Sequence, residues 1–174
     1  MKSIVSAVRL DVKTQLFSLV TLFTACSGTA FAGCNNLPST LSQAQLDAIL
    51  SNNYACGRSA ALAPPGWNEK HVGSSGGTLV EQHESGSADD ETVGSWSTST
   101  FGTGPTAKGR VTYTYSGTSF VYEVAVAANG DCSPNCTTLP QTYQFCGVGG
   151  APATLNILVT AALPTLSSCP AGNP

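Results

Sequence analysis

Positive charge is scarce in this chain. Seven Lys and Arg stand among 174 residues, against ten Asp and Glu. Three of the seven, Lys2, Arg9 and Lys13, crowd the amino terminus. From residue 33 onward only Arg58, Lys70, Lys108 and Arg110 are cationic. Affinity for nucleic acid comes from neutralising phosphates, and adhesion to anionic lipid from clustered Lys and Arg. A surface this poor in cations argues against both partners. Long apolar runs are missing as well. Nothing approaches the roughly 20 residues that cross a bilayer as a helix, so no transmembrane span is expected. No C-x-x-C occurs, which removes the usual redox-dithiol and zinc-ribbon spacings. Helical periodicity is almost absent. Histidine occurs twice, at His71 and His83.

What is present first concerns export. After the basic start comes a short apolar run, Leu16 to Phe23, and then small residues ending in Ala30-Phe31-Ala32. This is the pattern of a cleaved secretory signal. The expected cut falls between Ala32 and Gly33, which makes 1–32 a signal peptide. Lipid attachment at Cys26 is the alternative, since Phe23-Thr24-Ala25-Cys26 resembles a lipobox. Either way the domain is exported, periplasmic or extracellular. Six cysteines follow the cut: Cys34, Cys56, Cys132, Cys136, Cys146 and Cys169. An even number in an exported chain reads as a disulfide framework, with 15 possible connectivities. The two nearest the chain ends, Cys34 and Cys169, are expected to pair as a staple. Cys132 and Cys136 are expected to close a short loop, leaving Cys56 with Cys146.

Residues 33–163 read as one disulfide-stapled β domain and 164–174 as a Pro-rich tail. A helix is expected over 42–53. Ser42 and Gln45 make a capping box, and Leu46, Ile49 and Leu50 share a face. Asn52-Asn53 supplies the stop. Beyond it, turn residues punctuate short strands near 54–58, 67–72, 78–84, 92–100, 109–116, 119–127, 141–147 and 153–160. The clearest pair flanks Ser116-Gly117-Thr118, with Val111, Tyr113 and Tyr115 alternating on one side and Phe120, Tyr122, Val124 and Val126 on the other. The expected class is mainly β. It is an antiparallel meander of about seven or eight strands, a small barrel or a sandwich, with the helix plugging one end or covering one face.

Several ordered features together carry a resemblance. They are Leu46 to Cys56, Trp67-x-x-x-His71, Gly77-x-Leu79, Val93-Gly94-x-Trp96, Val111-x-Tyr113-x-Tyr115 and Tyr143-x-Phe145-Cys146. This set resembles a family of small exported bacterial proteins of unassigned function. The resemblance covers most of 41–147 and implies a bacterial source and a periplasmic or surface location. Gly94-Ser95-Trp96 also resembles the G-x-W of lipocalin-like barrels, where the Trp closes the barrel floor; there the motif lies on the first strand, whereas here other strands precede it.

Four residues form a candidate metal set. Glu69 and His71 lie two apart on one strand, Glu81 and His83 on the next. With Glu69 opposite His83, His71 falls opposite Glu81, and two imidazoles and two carboxylates share a face. That is a donor set for zinc or a similar divalent ion. Cross-strand Glu–His pairing on a solvated face explains the same residues without a metal, and no cofactor is the working expectation. Gly73-Ser74-Ser75-Gly76-Gly77 matches the nucleophile-elbow pattern literally. It lacks the strand-to-helix context that pattern needs and reads as a hairpin loop. Asp89-Asp90-Glu91 lacks calcium-loop spacing, and Asn135-Cys136-Thr137 fits a glycosylation acceptor. Trp96, Tyr113, Tyr115, Phe120 and Tyr122 are the candidate ligand-lining residues. With no assembled catalytic set, the expectation is an exported, non-enzymatic β domain. It would bind a small apolar ligand or an envelope partner. A metal-dependent protein and a structural or surface-interaction module are the alternatives.

Overall fold

The computed structural model describes residues 34, 40–58, 66–82, 90–127, 136–149, 151 and 154–171. The signal segment 1–32 and its cut at Ala32–Gly33 lie outside them. Among the described residues one α-helix, α1 (Gln43–Leu50), precedes eight strands: β1 (Tyr54–Gly57), β2 (Trp67–Gly73), β3 (Gly76–Glu81), β4 (Glu91–Phe101), β5 (Lys108–Tyr115), β6 (Thr118–Val126), β7 (Gln141–Val148) and β8 (Leu155–Thr160). Each strand pairs antiparallel with the next, and β1 closes on β8, so the sheet is a closed barrel. Closure leaves no strand edge exposed. It also decides between the two expected architectures: a barrel, not a sandwich. All eight expected strands form within a few residues of their expected limits.

Local chemistry explains the elements. Ser42 and Gln45 make the capping box: the Gln45 N–H donates to Ser42 Oγ, and Gln45 Oε1 accepts from the Ser42 N–H at 2.8 Å. The helix is shorter than 42–53. Asn52 enters the left-handed region at φ 57° and ends it, as Asn can. Ser116 and Gly117, at φ 47° and 85°, form the two-residue β5–β6 turn. Positive φ at both positions matches the right-handed twist of the flanking strands.

The helix plugs one end of the barrel. Leu46, Ile49 and Leu50 are fully buried in the core. The Gly109 N–H donates to the Leu41 carbonyl, and the Leu41 N–H to the Val124 carbonyl. Gly109 has to be glycine for this contact. A Cβ there would stand 2.6 Å from the backbone of Ser42 and Gln43. Ser75, on the β2–β3 turn, donates to the Asp47 carboxylate of the helix at 3.1 Å. The G-x-S-x-G stretch is therefore a hairpin turn pinned to the helix, as its flanking strands suggested.

The disulfides differ from the expected pairing. Cys34 bonds Cys146 and Cys56 bonds Cys169; neither Cys34–Cys169 nor Cys56–Cys146 forms. The reason is that Cys34 and Cys169 lie against different strands. The amino-terminal segment runs beside β6, where Thr40 bridges Ala125. The carboxy-terminal tail crosses outside β1 and β2. There Arg58 Nε donates to the Cys169 carbonyl at 2.7 Å and Asn68 Nδ2 to the Pro164 carbonyl at 3.3 Å. Cys34 lies against β6 and β7, near the Glu123 and Gln144 carbonyls, and bonds Cys146 of β7, while Cys169 lies against β1 and bonds Cys56 of that strand. Cys136 is also disulfide-bonded; its expected partner Cys132 lies outside the described residues. These disulfides fit an exported, non-cytoplasmic protein. Among the described residues no helix is long and apolar enough to cross a membrane.

Candidate functional site

Interior and exterior residues alternate along every strand of a barrel. At the helix end the interior is filled by Leu46, Ile49, Leu50, Leu79, Trp96 and Val111. At the far end it is not. A cavity of about 60 Å³ remains there. Trp67, Glu69 and His71 of β2 line one side, and Tyr113 and Tyr115 of β5 with Phe120 and Tyr122 of β6 the other. Phe145 of β7 and Leu155 and Ile157 of β8 complete the wall.

The rings form a connected wall. Tyr113 stacks with Tyr115 at 6.4 Å between centroids, and Tyr122 meets Tyr113 and Phe145 edge-on at 6.0 and 6.2 Å. Two polar groups interrupt it, each held by a tyrosine. The Tyr115 hydroxyl donates to Glu69 Oε2 at 2.8 Å. His71 Nε2 and the Tyr113 hydroxyl share a hydrogen bond of 3.0 Å. His71 is 1% exposed, and its Nδ1 has no hydrogen-bonding partner of good geometry.

Burial sets the charge states. It pushes the Glu69 carboxyl up to about 7, the Tyr115 hydrogen bond acting against it and the Glu81 charge with it. It pushes His71 down to about 3, opposed only by the Asn53 backbone carbonyl. The imidazole is therefore neutral at neutral pH. Burial also raises the phenols of Tyr113, Tyr115 and Tyr122, so they remain protonated donors.

The expected residues separate into groups. Tyr113, Tyr115, Phe120 and Tyr122 line the cavity together, as a ligand-lining set should. Trp96 does not line it. It lies one layer deeper, edge-on to His71 at 5.1 Å, with its Nε1–H donating to the Val72 carbonyl. The β2–β3 register pairs Glu69 with Glu81 and His71 with Leu79. This is two residues from the register that would set His71 opposite Glu81. His83 lies outside the described residues. Among those described, no three His, Cys, Asp or Glu side chains converge to hold a metal ion. Of the acidic run only Asp90 and Glu91 are described, and Asn135 lies outside.

Sequence reasoning did not assign Trp67, Phe145, Leu155 and Ile157 to the wall. Alternation was the available signal. Residues 67, 69 and 71 share a face, and so do 155 and 157. Only barrel closure brings those faces opposite the tyrosines. No family model matches the chain, and no curated protein or solved structure is significantly similar to it.

Proposed function

We propose that this domain is an exported, non-enzymatic binding protein, working in the periplasm or outside the cell, that takes a small and largely apolar molecule into the far end of its barrel. One observation carries the reading: at the end opposite the helix the interior is left unfilled and walled by aromatic rings. Ligand sites combine apolar walls with a few placed polar groups, and Glu69 and His71 are such groups. The cavity also limits the ligand. A water needs about 10–15 Å³ of such space, so about 60 Å³ takes only a handful of heavy atoms. The occupant is a small molecule or the head of a larger one.

Nuclear magnetic resonance titration with small probes such as phenol, cyclohexanol and short alkylamines tests this. The expected result is saturable shifts centred on the Trp67 indole and the Tyr115 and Phe120 rings. Shifts confined to the outer surface, or none at millimolar probe, would overturn it.

A further inference from the structure

The acids at the far end are placed by register. Glu69 pairs with Glu81 across β2–β3, and Glu81 pairs with Glu91 across β3–β4. Directly paired residues share a face of the sheet. The β3–β4 register shifts between Leu79 and Val80. That bulge changes which alternate residues of β4 face inward. Leu79 pairs with Gly94 before it, and Glu81 with Glu91 after it. Three carboxylates thus run in a row across β2, β3 and β4, with Glu69 at the cavity wall.

Among the described residues no cation answers them. Every Lys and Arg after residue 33 is engaged elsewhere. Arg58 donates to the Cys169 carbonyl. Lys70 lies over the Tyr54 ring at 5.4 Å. Lys108 and Arg110 pair with Glu123 at 3.2 and 3.0 Å. Beside Glu69 stand the Tyr115 hydroxyl, the opposing Glu81, and His71 two residues along β2, which is uncharged. Trp67, Tyr113, Tyr115, Phe120 and Tyr122 line the same cavity, and aromatic ring faces attract cations. A bare metal ion is a poor match, because the described acids do not converge on one point.

From the aromatic wall, the uncompensated carboxylate row and the size of the cavity, we infer that the ligand is a small methylated or alkylated ammonium ion. This rests on the far end being a binding cup and specifies its ligand. The head group of such an ion, a nitrogen with its three or four carbons, matches the handful of heavy atoms the cavity takes. Its positive charge faces Glu69 while its methyl groups meet the rings. The His71 imidazole lines the same cavity with Nδ1 still unpaired.

Calorimetric titration of the mature, disulfide-intact protein with choline chloride and with its neutral isostere 3,3-dimethylbutan-1-ol tests the charge directly. Choline is expected to bind at least tenfold more tightly at pH 8. The preference should shrink several-fold at pH 5.5, where Glu69 is protonated. Glu69→Gln should abolish the preference at pH 8, the two probes then binding alike. The wild-type pH comparison needs no variant, so a misfolded Gln protein would not rescue the idea. Equal binding of the two probes would overturn the cation and leave the cup standing. Binding of neither would overturn both. Sedimentation with phosphatidylcholine vesicles, run alongside, separates a lipid head group from a free solute as the natural source.

Discussion

Replacing Glu69 by Gln should change how stability depends on pH, and the sign can be worked from Glu69 and His71. Folding raises the Glu69 carboxyl from 4.5 to about 7. The native state then holds a proton that the unfolded state has released, so stability falls as pH rises from 4.5 to 7. Folding lowers His71 from 6.5 to about 3. Here the unfolded state holds the extra proton, so stability falls as pH drops below 6.5. At 1.36 kcal/mol per unit, the full spans are roughly 3 kcal/mol for Glu69 and roughly 5 kcal/mol for His71. The Glu69 figure is an upper value, because its half-buried carboxyl is partly screened by solvent. Between pH 4.5 and 6.5 the two slopes oppose, and the native protein should vary by less than about 1 kcal/mol. Glu69→Gln keeps an acceptor for Tyr115 but removes one titration. Its stability should fall by about 1.4 kcal/mol per pH unit below 6.5, or about 2 kcal/mol by pH 5. Glu123 does not interfere in this window. Burial works to raise its carboxyl, but the hydrogen bonds and charges of Arg110 and Lys108 hold it below its ordinary value. Guanidinium unfolding followed by tryptophan fluorescence, at constant ionic strength and with disulfides intact, gives the two profiles. Parallel profiles for the native and Gln proteins would refute the reasoning.

Three further outcomes follow from the geometry. Gly109→Ala puts a methyl group 2.6 Å from the helix backbone and should cost about 1–3 kcal/mol by overpacking, read from denaturant midpoints; an unchanged midpoint would mean the helix does not dock there. Converting Cys56 and Cys169 to Ala together opens a loop of 113 residues and should cost about 2–5 kcal/mol, measured against the native protein without reductant. Tyr115→Phe removes the one hydrogen bond that lowers the Glu69 carboxyl, so its midpoint should move above 7 in a carboxyl-detected titration; a midpoint that stays or falls would count against that bond.

Much of the fold was legible in the sequence, because each element carries its own signal. The capping box marked the helix start, and alternation with turn residues marked all eight strands. Barrel closure was not readable. It depends on β1 meeting β8, about a hundred residues away, and neither strand's pattern names its partner. The same gap explains the cysteine pairing, since proximity to a chain end does not say which strand that end covers. At the site, the tyrosine stripe was visible as a cavity wall. Glu69 and His71 were read as half of a metal set with Glu81 and His83, yet their hydrogen-bond partners, Tyr115 and Tyr113, came from the opposite side of the barrel. Trp96 was read into the cavity through its likeness to the G-x-W of lipocalin-like barrels. Depth along the barrel axis, which puts it below the cavity, has no sequence signature.

The order of the two long-range disulfides along the chain has a consequence for survival outside the cytoplasm. Cys34, Cys56, Cys146 and Cys169 occur in that order, and the bonds join the first to the third and the second to the fourth. The two covalent loops overlap. A protease that cuts once anywhere between Cys34 and Cys169 therefore releases no fragment of the barrel: at least one bond always spans the cut. The nicked molecule runs as a single species until it is reduced. Shedding any strand takes a second cut.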